Sequence, residues 1–318
     1  MANKNPWHRN RLIRDGIYKA TYEEMVKRPE IYILGEGSHM KIHFDAPDIE
    51  KEFSSRVITL PISEDANSNF AVGMSLAGIV PIVDVTSSDF LYRTMDAICN
   101  TMAKAAVVGR PRTMIVRAEF MTGGPTSGQR IEALFARIPG LRVAVPSNPN
   151  DAYGLMKEAL NTEAVTVFFE ERMIEDAEIP DSYRNYDGTS WKGPRLVKSG
   201  SKATVISYGI TARFVEEALK DEDCTVLDLR MLYPLYQAEI LKSVQETKRL
   251  LVVEPDVQFL GIGAEILAMV SEMMPSLDGV KMWRLGAPRA TIPASRERHD
   301  EIMPSKENIL TAYEGLTR

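Results

Sequence analysis

Short runs of uninterrupted apolar residues alternate along this chain with longer stretches whose apolar positions recur at helical spacing. The short runs of the first half are IYIL at 31–34, IVPIVDV at 79–85, TMIVRA at 113–118, LRVAVP at 141–146 and AVTVFF at 164–169. They are too continuously apolar for strands with one wet face. They predict strands of a mostly parallel sheet covered on both sides. Between them lie helical patterns at 11–27, in the small-residue stretch after LPISE at 60–64, and in FLYRTMDAICNTMAKAA at 90–106. Strands and helices in this alternation predict an α/β fold.

Residues 171–200 break the alternation. ERMIEDAEIPDSYRNYDGTSWKGP is polar and rich in turn formers, and it reads as an interdomain linker. Beyond it the pattern restarts with ATVISYG, TARFVEEALKD, CTVLDLR, YQAEILKSVQE, RLLVVEP, GAEILAMVSEMM and VKMWRLG. Two domains are expected, at 1–185 and 201–318, with the linker at 186–200.

Composition narrows the function classes. Of 318 residues, 44% are apolar and 26% charged, as in a packed globular protein, and the net charge is −6. A mildly acidic chain has no overall attraction for nucleic acid or an anionic membrane, so neither is expected as a partner. No run nears the ~18 apolar residues of a membrane helix. The opening MANKNPWHRNRLIRD lacks the apolar core of a secretory leader. Cys99 and Cys224 have no metal-ligand spacing and read as buried free thiols. A cytoplasmic location is expected.

Generic chemical motifs are scarce. There is no phosphate loop, and GIGAE at 261–265 has the wrong spacing for a dinucleotide site, so it is expected to open a closely packed helix. Of the four histidines, His39 and His43 stand four apart after IYILGEGS. Nearby glycines and Pro47 place them in a loop, as surface or active-site histidines rather than a metal pair. No metal ligands are expected in this chain. One acid stands out: Glu64 lies at the mouth of the small, apolar stretch TLPISEDANSNFAVGMSLAGIVPIVDV. It could be a helix N-terminal charge, favourable by about 0.3–1 kcal/mol, or a functional carboxylate. Sequence physics leaves both open.

Eight segments, in order, carry a resemblance: IYILGEG (31–37), RVITLPISE (56–64), FAVGMSLAGIVPI (70–82), MDAICNTMAK (95–104), IPGLRVAVPSNPNDAYGLMKEAL (138–160), TVISYG (204–209), VLDLRMLYPL (226–235) and LLVVEPDVQFLGIGAEI (250–266). Together they resemble the beta subunits of thiamine-diphosphate-dependent 2-oxoacid dehydrogenases, of the pyruvate and branched-chain type, which are related to the C-terminal half of transketolase. The resemblance covers nearly the whole chain. It implies a pyrimidine-binding domain with a mostly parallel sheet, followed by a transketolase C-terminal-like α/β domain. It implies that Glu64 hydrogen-bonds the ring nitrogen of the cofactor's aminopyrimidine, so that the exocyclic nitrogen can serve as a base. A carboxyl in a poorly hydrated cleft suits that task because desolvation favours its protonated form. Phe90 is implied over the ring, with Ile62 and Thr86 beside it. Ala71, Gly73 and Ser75 would let their helix approach the cofactor or a neighbouring subunit.

Departures from the family pattern matter equally. The loop FMTGGPTSGQ carries Ser127 where relatives carry a histidine, while Gln129 remains. Serine is no acid–base near neutral pH without a partner, so His39 and His43 become catalytic candidates. Thr162 and Ala164 stand where some relatives have potassium ligands, so no potassium is expected. The G-D-G motif and downstream asparagine that hold diphosphate and magnesium are missing. An alpha-type partner subunit is therefore implied to bind most of the diphosphate and Mg2+, in an α2β2 assembly with interface helices at 66–78 and 94–108. A lipoyl acyltransferase is a further implied partner. The leading expectation is a subunit that decarboxylates a 2-oxoacid and passes the acyl unit to an acceptor. The alternatives are a split transketolase-like ketol transfer or carboligation subunit, and a non-catalytic scaffold.

Overall fold

A strand that is apolar on both faces must be sandwiched. In the computed structural model, which describes residues 11–36, 47–121, 128–171, 192–293 and 295–318, such strands are. The first half supplies β1 (Ile31–Glu36), β2 (Val57–Leu60), β3 (Val80–Ser87), β4 (Met114–Phe120), β5 (Leu141–Ala144) and β6 (Val165–Glu171). The second supplies β7 (Arg195–Lys198), β8 (Thr204–Ser207), β9 (Thr225–Asp228), β10 (Met231–Tyr233), β11 (Arg249–Val257) and β12 (Lys281–Ala287). One sheet runs β10-β5-β6-β4-β3-β1-β2 and is parallel except for β10; the other runs β12-β11-β8-β9-β7 and is parallel except for β7. Every residue of β3, β4 and β6 is buried.

The longer helices are α1 (Arg11–Lys27), α2 (Glu64–Leu76), α3 (Pro149–Leu160), α4 (Gly209–Ala218), α5 (Gln237–Thr247), α6 (Ile262–Met273) and α7 (Lys306–Thr317). Ile33, Ile82 and Ile115 face α1 and α3 on one side of the first sheet. Leu34, Val83, Val116 and Val167 face α2 and the 91–103 segment on the other. Helix α3 starts where its residues dictate: the Asn148 side chain accepts the Asp151 N–H, and Pro149 fills the first position. Helices α1 and α3 touch at Gly16, where an added Cβ would run into the Pro149 carbonyl.

Three local outcomes differ from the sequence pattern. The helix expected at 90–106 is a 3-10 turn (Ser88–Thr94), a π turn (Asp96–Met102) and a short α-helix (Ala103–Val107). Polar side chains there bond nearby backbone and compete with the α ladder. Thr94 donates to the Leu91 carbonyl at 2.8 Å, whereas Ser88 is held from outside the segment by the Gln129 carbonyl at 3.2 Å. The polar run before residue 201 includes strand β7, paired with β9. Strand β10 crosses over to pair with β5 of the first sheet.

The two sheets share one core, in which Val143 and Val145 meet Tyr208, Leu229 and Leu232. Charged groups bridge the same seam. Arg195 reaches Asp151 at 3.2 Å and Asp228 at 3.1 Å, while Arg230 reaches Asp151 at 2.8 Å. Arg130 forks onto Glu171, whose Oε1 also accepts the Ile210 N–H at the start of α4.

GIGAE does open a helix. The buried Glu254 carboxylate accepts the Gly263 N–H at 2.9 Å and the Ile262 N–H, and a Cβ at 263 would lie 2.8 Å from it. The chain's own acid thus fills the helix end where a phosphate would bind. Burial pushes Glu254 up to about 8, despite those N–H donors. The folded state then binds more protons than the unfolded state between the ordinary 4.5 and about 8. Its contribution is complete below that window and is lost as pH rises through it.

Two outcomes are expected in equilibrium denaturation. Gly16→Ala loses about 1–3 kcal/mol by overpacking, whereas Gly73→Ala, with nothing within 4 Å, loses nothing and gains up to about 1 kcal/mol. Denaturation midpoints of the wild type fall as pH rises from 4.5 to about 8, and Glu254→Gln shallows that fall. An unchanged slope would remove Glu254 as its source.

Candidate active site

Parallel sheets bind ligands outside the carboxyl ends of their strands. Here β1 ends in Glu36, β2 runs through Pro61, Ile62 and Ser63 into Glu64 at the start of α2, and β3 ends beyond Thr86. Three acids converge at this edge. Glu64 is 7% exposed, with the Arg93 guanidinium 4.0 Å from its Oε2. Glu36 is 4% exposed and accepts the Ser63 backbone N–H. Burial raises its pKa, the charge of Glu64 raises it further, and Asp84 adds to the effect.

Thr86 is held in the left-handed region, at φ 70°. That is a costly conformation for a β-branched residue. The strand register shifts between Asp84 and Ser87, and the Thr86 N–H bonds the Asp84 carboxylate at 2.8 Å. Asp84 is in turn 3.9 Å from Arg117, which forks onto Glu170 at 2.6 and 2.8 Å. The kink is therefore seated on a buried charge network. Among the described residues, Thr86 Oγ1 and Glu36 Oε1 are buried with no hydrogen-bond partner. Buried orphan polar atoms at a strand edge suit a ligand's polar edge.

Apolar groups flank the acids. Ile62 is 75% exposed, and Phe90, on the 3-10 turn that packs on α2, is 38% exposed. Phe70 and Leu76 of α2, with Val107 and Val108, are also exposed. Helix α2 thus buries Ala71, Val72 and Ser75 and leaves large apolar groups uncovered elsewhere on its surface. Carboxyls with an unpaired hydroxyl at an edge and bare apolar side chains beside them fit a flat heterocycle carrying a ring proton. They do not fit a diphosphate, which needs cationic or N–H partners.

Of the residues expected from sequence, Glu64, Ile62, Thr86 and Phe90 lie at this one edge. Gln129 is near it, but its side-chain amide is committed to the backbone of Ile292. His39, His43 and Ser127 lie outside the described residues. The Thr162 carbonyl accepts the Thr113 hydroxyl at 2.8 Å and the Ala164 N–H at 2.8 Å. Sequence reasoning missed Glu36 and Arg93. The signal for Glu36 was an acid closing the apolar run IYIL; Arg93 had none. Burial raises both thiols, Cys224 to about 11, although Cys99 is only half-buried. Among the described residues, no His, Cys, Asp and Glu group could hold a metal ion, and no helix is long and apolar enough to cross a membrane.

Comparison with known proteins adds a lineage. Residues 11–175 match the pyrimidine binding domain of transketolase, and 192–309 match the transketolase C-terminal domain. The chain is 31% identical over 327 residues to the pyruvate dehydrogenase E1 component subunit beta of Porphyra purpurea, covering 95% of this chain and 98% of that one. It is 30% identical over 278 residues to the 2-oxoisovalerate dehydrogenase subunit beta of Bacillus subtilis, covering 81% and 83%. In fold it is similar to a split-gene transketolase solved as an inactive beta4 tetramer, with a TM-score of 0.81 at 20% identity over 96% and 99% of the two chains. It is also similar to transketolase from Campylobacter jejuni, with a TM-score of 0.72 at 13% identity, covering 96% of this chain and 46% of that one.

Strain at Thr86 makes a prediction about stability. Relief of the left-handed conformation, about 1–2 kcal/mol, offsets glycine's flexibility penalty of about 0.5–1 kcal/mol. Thr86→Gly is expected to keep or raise the thermal midpoint, whereas Thr166→Gly in regular β6 lowers it. Equal losses would show that Thr86 stores no strain.

Proposed function

The chain belongs to the family of thiamine-diphosphate-dependent 2-oxoacid dehydrogenase beta subunits, and on that premise we propose that it is the pyrimidine-binding subunit of a two-component enzyme, with Glu64 as the acid that activates the cofactor. The supporting observation is Glu64 itself: buried at the carboxyl edge, its charge felt by Glu36, with Ile62 and Phe90 bare beside it. Bound thiamine diphosphate would supply the nucleophilic carbon that attacks a 2-oxoacid carbonyl and takes up the electron pair left by carbon dioxide.

Glu64 would hydrogen-bond the pyrimidine ring nitrogen. Glu36 lies within electrostatic reach, its pKa raised by burial and by the charge of Glu64. Ile62 and Phe90 cover the ring and exclude water; stacking on Phe90 adds about 0.5–1.5 kcal/mol beyond burial. Thr86 offers its unpaired hydroxyl at the same edge. The acidic edge cannot hold a diphosphate. An alpha-type partner supplies that site and Mg2+, in an α2β2 assembly that covers the exposed groups of α2. The acyl unit passes to an acceptor, with a lipoyl acyltransferase as the carrier in the dehydrogenase case. His39 and His43 are the acid–base candidates for the substrate in this reading, since Ser127 replaces the relatives' histidine.

Calorimetric titration checks the division of labour. Thiamine diphosphate with Mg2+ is expected to bind the reconstituted pair and to bind the lone chain weakly or not at all. Tight binding by the lone chain would contradict it. Glu64→Gln is expected to lower kcat by about a hundredfold or more with the thermal midpoint unchanged. Retained turnover would remove Glu64 from its role.

A further inference from the structure

Phe90 sits on a 3-10 turn, a conformation with poor hydrogen-bond geometry that needs outside support. That support comes from residues 128 and 129. Asp89 Oδ2 accepts the Gly128 N–H at 3.0 Å and the Ser87 hydroxyl at 3.2 Å, and the Gln129 N–H also donates to this carboxylate. Ser88 donates to the Gln129 carbonyl at 3.2 Å. Gly128 has φ +88°, and a Cβ there would lie 2.6 Å from the Met121 carbonyl, so glycine alone fits this close approach.

The supporting pair is itself fastened to the second domain. Gln129 Nε2 donates to the Ile292 carbonyl at 3.2 Å, and the Ile292 N–H donates to Gln129 Oε1 at 3.1 Å. This closed two-bond ring spans 163 positions of sequence. Ile292 is buried in a small cluster with Ala287 and Met303. A continuous chain of contacts thus leads from that cluster through Ile292 and Gln129 to Ser88, Asp89 and Phe90.

We propose that Gln129 and Asp89 are positioning residues through which the second domain sets the turn that carries Phe90. Gln129 acts by its amide ring to Ile292, and Asp89 transmits that placement to the turn. The meaning of this placement for the cofactor rests on the function proposed above; the mechanical coupling does not. Spatial continuity alone is no proof of coupling, so the test must read the turn itself.

Hydrogen–deuterium exchange on the full chain without cofactor does so. Gln129→Ala, which removes both bonds of that ring, is expected to speed exchange in the segment Ser87–Met95 about fivefold or more. Asp89→Ala should do the same. Asp89→Asn keeps an oxygen for the Gly128 N–H and should retain wild-type exchange. Should Gln129→Ala fold poorly, Gln129→Glu keeps the acceptor for Ile292 N–H but loses the donor, and it too should speed exchange at Ser87–Met95. Faster exchange confined to 128–130 and 290–293 would overturn the proposal. Thiamine diphosphate titrated into the assembled pair separates the two claims. Glu64→Gln with undiminished cofactor activation would sink the functional reading and leave the exchange result intact. Weakened binding by Gln129→Ala, alongside faster exchange at the turn, would join the two.

Discussion

Burying a carboxyl favours its protonated form, and a negative charge nearby favours it further. Glu36 and Glu64 are both buried at the carboxyl edge of the first sheet, where burial and the charge of Glu64 raise the pKa of Glu36 while Arg93 opposes the rise. The rest of the site follows from this constraint. In the function proposed above, the acids meet the ring nitrogen of a flat heterocycle and the bare Ile62 and Phe90 meet its faces.

The surroundings hold that arrangement at some cost to the fold. Thr86 occupies a conformation its side chain disfavours, anchored by Asp84 and, behind it, by Arg117 and Glu170. The second domain is no passive appendage. It lends a strand to the first sheet, shares its core, and fastens residues 128 and 129, which support the turn under Phe90. The face of α2 carrying Phe70 and Leu76 stays bare in the single chain, as expected of a surface completed by another polypeptide.

Much of this was written in short-range pattern. Continuous apolar runs such as IVPIVDV and AVTVFF specify strands because only a doubly covered sheet buries both of their faces, and Glu64 drew notice as a lone acid before a small-residue helix. What stayed hidden depends on long-range pairing or on local competition. The three residues of β10 acquire meaning only opposite β5. The 88–107 segment has helical spacing, but Thr94 bonds the Leu91 carbonyl and Ser88 is tied to the Gln129 carbonyl 41 positions away. Glu36 looked like a strand end because its effect arises only when β1 and α2 meet. The role of Gln129 depends on a partner 163 positions away.

The central claim, that a buried acid at this edge serves a pyrimidine cofactor completed by a second subunit, is most directly tested by a crystal structure of the chain purified with its native partner and thiamine diphosphate. The account predicts the Glu64 carboxyl within hydrogen-bond distance of the pyrimidine ring nitrogen, Phe90 over the ring, and the partner covering Phe70 and Leu76. A cofactor held elsewhere, with Glu64 and α2 open to solvent, would contradict it.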